Sequence, residues 1–132
     1  MSQSHKIAYK IFDLGVDTTT GLLYPKTLFH GIKGSRCLSV GKWICAERKL
    51  VTDGSRQTPF MSGIHAYETI EDVRRWLKNA KHITNRVVVK VSLQRCRKKP
   101  RAIRPTLLAR KMLISQKEWG KRTPASKYID GI

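Results

Sequence analysis

Six cationic side chains, Arg95, Arg97, Lys98, Lys99, Arg101 and Arg104, fall within ten consecutive positions, RCRKKPRAIR at 95–104. That density suits phosphate. The planar arginine fork donates two parallel hydrogen bonds to a phosphate or to the edge of a guanine, and lysine adds a compact point charge. The same sign continues on both sides of the run, through Arg74, Arg75, Lys78, Lys81, Arg86 and Lys90 before it and Arg110, Lys111, Lys117, Lys121 and Arg122 after it. Residues 73–127 hold 18 basic side chains and one acidic one, Glu118, whereas residues 1–72 hold nine basic and seven acidic. The net charge of +18 therefore belongs to the second part of the chain. A charge run alone is as often a solvated loop as a site, but a surface that needs only solubility mixes its signs. The expected phosphate-contacting set is Arg74, Arg75, Lys78, Arg95, Arg97, Lys98, Lys99, Arg101, Arg104, Arg110 and Lys111. Trp43, Trp119 and Tyr128 are available to stack on bases, but they form no recognisable platform motif, and nothing points to sequence-specific readout.

Catalytic constellations are sparse. No P-loop, no GxGxxG, no HExxH and no GxSxG is present. Glu68, Glu71 and Asp72 cluster, yet two of them are accounted for by the start of a helix. His65 and Tyr67 share one face of a short strand and are the best candidates for a pocket, although a partly buried, hydrogen-bonded histidine is the commoner outcome. Cys37, Cys45 and Cys96 are an odd number with wide spacing, which disfavours a disulfide framework or a zinc ribbon, and they are expected to be buried small apolar groups. No histidine among His5, His30, His65 and His82 joins them at zinc-finger spacing, so neither a metal nor a cofactor is expected.

The elements that must position these residues follow from periodicity. KIAYKIF at 6–12 alternates as a strand, with Ile7, Tyr9 and Ile11 on one side and Ala8, Lys10 and Phe12 on the other. DLGVDTTTG is turn-rich, and LLYPKTLF after it reads as a second strand. SRCLSVGKWICAERKLV at 35–51 is mixed, compatible with a strand leading into a helical turn, and TDGSRQTPFMSG is a polar loop. IHAYET is a short strand that feeds a helix at 69–81, capped by Thr69, with Asp72 three residues on and Ile70, Val73, Trp76, Leu77 and Ala80 as its apolar stripe. RVVVKVSLQ at 86–94 is a strand with Val87, Val89, Val91 and Leu93 on one face. TLLARKMLI at 106–114 is a last strand returning antiparallel, so that RCRKKPRAIR becomes a surface connection between the two.

Together these give one α+β domain over 1–114, a mostly antiparallel sheet packed by one main helix, followed by a basic, weakly ordered tail at 115–132. The 132 residues suffice for one core. No apolar run approaches a membrane span, and the N-terminal segment is too short in apolar residues for a signal peptide, so a cytoplasmic protein is expected. A monomer is expected too, because a sheet edge beside so many like charges repels its copy, with a dimer through such an edge as the alternative.

The order LSVGKWICAERKLVTDGS, SGIHAYETIEDVRRWLK, RVVVKVSLQRCRKKP and LLARKML over residues 36–114 resembles small proteins encoded by bacteriophages and prophages. Their G-[FIW]-H-x-[FY]-x-[ST]-x-E-[DE] segment is matched by Gly63, Ile64, His65, Tyr67, Thr69, Glu71 and Asp72. Arg110 and Lys111 stand where those proteins carry acids, which enlarges the basic field. The resemblance implies a phage origin and the host-cell cytoplasm, and brings no activity with it. The strand, the Gly63–His65 segment and the helix also resemble the core of ADP-ribosyltransferase-like folds, without a matching catalytic glutamate. The expected function is non-catalytic binding of DNA or RNA by an accessory or regulatory protein. Inhibition of a host protein or defence complex through its acidic surface is the alternative, and a small transferase using His65 and Tyr67 is the third reading.

Overall fold

A computed structural model describes residues 5–28, 36–47, 50–51, 60–80, 83–99 and 106–129. Most of it is antiparallel sheet curled into a half-barrel, with few helices. Strand β1 (Lys6–Val16) lies between β2 (Leu23–Lys26) and β7 (Arg86–Lys98), and β8 (Leu107–Leu113) joins β7 to β3 (Trp43–Cys45). Strand β6 (Ile64–Ala66) pairs with the start of β8, and the next residue, Tyr67, exchanges two 2.7 Å backbone bonds with Tyr9 of β1. The path β1, β7, β8, β6 thus returns to β1 at one point, and this contact gives the sheet its curl. A separate two-residue ribbon pairs β4 (Leu50–Val51) with β5 (Phe60–Met61).

The hairpin from β1 to β2 turns at Asp17, whose Oδ1 accepts from the backbone of Thr19 and Thr20, with Gly21 at φ 75°. Gly15 faces Tyr24 across the hairpin, and a Cβ at Gly15 would stand 2.3 Å from the Tyr24 ring, so the ring lies over the strand only because the side chain is missing there. Helix α1 (Ile70–Lys78) starts at Thr69, whose hydroxyl accepts from the backbone N–H of Asp72 at 3.1 Å.

Two faces of one sheet bury two clusters. Inside the curl, Ala8 and Phe12 of β1 meet Val87, Val89, Val91 and Leu93 of β7 and Ala109 and Met112 of β8. On the outside, Ile11 and Val88 are covered by Val73 and Leu77 of α1 and by Ala125. The expected alternation in β1 and in the first half of β7 is the observed one.

Several sequence expectations differ from the structure. Strand β1, expected over 6–12, runs on to Val16, and Phe60–Met61, expected in a polar loop, pair with β4 as β5. The expected tail is built into the sheet: α2 (Gln116–Gly120), capped by Ser115, carries buried Trp119 into the inner cluster against Phe12, and β9 (Thr123–Pro124) pairs with Val87 and Val88. A large apolar side chain and a capped turn outweigh the polar composition around them. The strand expected to end at 94 continues to Lys98, because the first half of β8 needs a partner for Leu107–Ala109 and Cys96 packs against the inner cluster. The opening half of RCRKKPRAIR is therefore sheet, while residues 100–105 lie outside the described residues. No helical turn follows β3 among the described residues, where Ala46 instead donates to Arg110 O at 2.8 Å. Cys37 and Cys45 are exposed rather than buried, since alternation around core-facing Ile44 turns Cys45 outwards and the isolated bridge from Cys37 to Lys26 leaves that residue at the rim.

Candidate nucleic-acid interface

Along β7 the odd residues from Val87 to Leu93 face the core, yet the next core residue is Cys96. Along β8, Leu107 and Ala109 face the core, and then Met112 and Ile114. Both strands reverse their alternation at one level, so Gln94 and Arg95 on β7 and Arg110 and Lys111 on β8 stay off the core together. The register is unchanged across the reversal, with Gln94 opposite Lys111 and Cys96 opposite Ala109, which leaves Arg95 level with Arg110. Arg95 accomplishes this at φ 53°, a left-handed conformation that is disfavoured for a side chain of this size. The sheet has a corner there, and the corner is cationic.

From the corner the outer face runs as an open surface. Register places Ile7 beside Ser92, Ser92 beside Leu113, and Leu113 beside Trp43, in one row across four strands. The neighbouring row is His5, Gln94, Lys111 and Cys45: Gln94 Nε2 lies 3.1 Å from His5 Nε2, and the His5 ring meets Trp43 edge-on at 5.0 Å. On the other side stands exposed Lys90, opposite Tyr9. Ile7 is 52% exposed and Trp43 36%, so the described residues leave this end of the face open, whereas α1 and the turn at Ala125–Tyr128 cover the Ile11 and Val88 end.

The predicted cations divide into groups. Arg74 and Arg75 stand on α1 with carboxylates three residues back, Glu71 at 3.4 Å and Asp72 at 3.8 Å, and are partly neutralised. Lys78 is exposed in the last turn, where it favours the helix dipole. Arg95 and Lys98 are exposed on β7, Arg97 is half-buried there, and Lys99, half-buried, follows the strand. Arg110 and Lys111 are half-buried at the corner. Arg101 and Arg104 lie outside the described residues. Among the described residues no carboxylate pairs with Lys90, Arg95, Arg110 or Lys111. In the first part of the chain the reverse holds: Asp13 is shared by Arg36 at 2.7 Å and Arg86 at 3.4 Å, and Lys6 meets Glu68 at 2.7 Å. The hydrogen bond between Lys6 and Glu68 raises the lysine pKa and lowers that of the carboxyl.

Of the three stacking candidates only Trp43 is placed for it. Trp119 is buried, with its indole N–H 3.4 Å from Leu23 O, and Tyr128 packs into the outer cluster. His65 and Tyr67, the pair the sequence suggested for a pocket, differ in burial. Tyr67 is drawn into the packing under α1, because its backbone closes the sheet onto Tyr9, while His65 remains exposed.

A residue that sequence reasoning missed lies beside them. Where β6 diverges from β1 the His65 carbonyl loses its strand partner, and the Lys10 ammonium donates to it instead. Lys10 shares the inner side of β1 with Ala8 and Phe12, and burial lowers its pKa to about 8. The signal was present in the pattern, a lysine between two core residues of like parity, but so small an opening of the sheet has no trace in the sequence. Comparison with family models, with curated proteins and with solved structures found no match for this chain.

Proposed function

We propose that the chain works as one α+β domain, its sheet backed by α1, that binds nucleic acid without catalysis through the cationic corner of β7 and β8. A phage-encoded accessory or regulatory role in the host cytoplasm, as the resemblance implies, fits such a protein. One observation carries the reading: Arg95 and Arg110 stand level on adjacent strands, Lys111 follows, no carboxylate among the described residues pairs with them, and Arg95 sits at φ 53°. Like charges opposite one another destabilise a sheet, and a non-glycine residue in that backbone region costs roughly 1–2 kcal/mol. A polyanion that draws counter-charge to the corner offsets the repulsion, and strain of this kind gathers at binding sites.

The test is a salt titration of the wild type and of a variant carrying Arg95→Ser, Arg110→Ser and Lys111→Ser, against labelled duplex DNA and single-stranded RNA. Each lost phosphate contact should flatten the slope of log affinity against log salt by about 0.9 on duplex and about 0.7 on single strands. Equal affinities and equal slopes for the two proteins would overturn the corner as a phosphate site. Tight, salt-steep capture of a nuclease-resistant acidic protein in place of nucleic acid would give the surface to the inhibitor reading.

A further inference from the structure

We infer that the open outer face of the sheet, the row Ile7, Ser92, Leu113 and Trp43, is a stacking platform for single-stranded nucleic acid. This rests on the nucleic-acid reading above and names its substrate class. At about 4.8 Å between strands the row extends about 14 Å across four strands, the format in which sheet proteins offer aromatic side chains to two or three unstacked bases. Trp43 supplies the aromatic surface at one end, braced edge-on by His5, and Ile7 an apolar contact at the other. Lys90 and Lys111 flank the row on its two sides, where the phosphates of a strand with its bases on the sheet would pass.

Charge complementarity decides the occupant. Pairing the face with a second copy would bring Lys90, Lys111 and the adjacent arginine corner against the same charges, whereas a polyanion neutralises them. A duplex keeps its bases stacked inside and offers this apolar row nothing to cover it. An unpaired strand presents both bases and phosphates.

The experiment uses the full chain with three labelled probes: a 12-nucleotide oligo(dT), a 12-nucleotide oligo(U) and a 12-base-pair duplex, each titrated at low and moderate salt. The expected result is tighter binding of both single strands than of the duplex, with quenching of tryptophan fluorescence. Trp43→Ala should weaken single-strand binding about tenfold or more, leave duplex binding and the salt slope nearly unchanged, and be largely rescued by Trp43→Phe. Ile7→Asp, on a half-exposed position that a folded chain tolerates, provides a second reading should Trp43→Ala lower the melting temperature. Equal affinity for single strands and duplex with no effect of either variant would remove the platform while leaving the phosphate site standing. Absence of binding to all three probes at low salt would instead remove both. A dimer by light scattering that Ile7→Asp dissociates would assign the face to a second copy and overturn the inference.

Discussion

The two ends of the outer sheet face are made by the same strands and end in opposite ways. At one end Ile11 and Val88 lie beneath Val73, Leu77 and Ala125, and the arginines nearby have acids: Arg86 and Arg36 share Asp13, Arg74 has Glu71 and Arg75 has Asp72. Four residues along both β1 and β7 from that pair, exposed Ile7 and half-buried Ser92 are bordered by Lys90 and Lys111, with which no described carboxylate pairs. A sheet face covered by its own helix meets its polar requirements within the chain. The open end keeps apolar surface and one sign of charge side by side, and a partner that is anionic and carries flat apolar groups answers both.

The sharpest way to break that contrast is to truncate matching residues at the two ends. Leu77→Ala removes a fully buried side chain of α1 and should cost about 2–5 kcal/mol, through lost burial and the cavity left behind. Ile7→Ala at the open end should stay within about 0.5 kcal/mol, as for an ordinary surface position. Urea denaturation of both variants decides it: a loss at Ile7 comparable to that at Leu77 would mean that another part of the chain covers the face.

A second measurement separates charge held for folding from charge held for a ligand. Lys10 is kept inside the curl with a pKa lowered to about 8 by burial, below its ordinary 10.5. Between those values the unfolded chain binds more protons than the folded one, so stability contributed at this residue rises as pH increases from about 8 to about 10.5, and the penalty is present in full below that window. The size is on the order of 2 kcal/mol after discounting for the partly exposed side chain. Thermal midpoints across pH 7.5–10.5 should show this rise in the wild type relative to Lys10→Met, whose curve should be flatter. Parallel curves would show that the ammonium reaches solvent and that Lys10 belongs with the open cations.

A third compares the arginines of the two regions directly. Arg95→Ser with Arg110→Ser should reduce the salt slope on single strands by about 1.4, whereas Arg74→Ser with Arg75→Ser should change it by less than half as much, because Glu71 and Asp72 already neutralise that pair in part. The reverse order would move the phosphate site onto the helix.

The strands opening at Lys6, Ile64 and Arg86, the Thr69-capped helix and the antiparallel return of β8 were legible because each depends on periodicity or on a local cap, whereas β5 and β9, two residues each, are too short to carry a period. The corner was not. Its cations were named from the sequence, but their grouping depends on two strands reversing their alternation at one level, and neither RCRK nor ARKM reveals that in isolation. The open row was hidden for a similar reason: Ile7, Ser92, Leu113 and Trp43 are brought together by register alone, from four segments widely separated in the chain. Trp43 was recognisable as a stacking candidate, whereas Trp119 and Tyr128, equally eligible by type, are taken up by packing.

The smallest effect expected is also the one that most directly tests whether the corner is kept for binding. Arg95 at φ 53° carries backbone strain and faces the level of Arg110, and glycine adopts that backbone region freely. Arg95→Gly therefore relieves both the strain and one like-charge neighbour, against the entropy that glycine loses on folding. The two sides of that balance are each about 1 kcal/mol, so the melting temperature should stay level or rise by a few degrees. Asparagine also tolerates the conformation, and Arg95→Asn should behave alike while sparing the glycine entropy. In both variants affinity for single strands should fall as one phosphate contact is lost. Stability and binding moving in opposite directions at one residue is the signature of a position retained for a ligand. If both substitutions instead lower the melting temperature and leave affinity unchanged, Arg95 is a structural residue of the bend and the corner has no claim on phosphate.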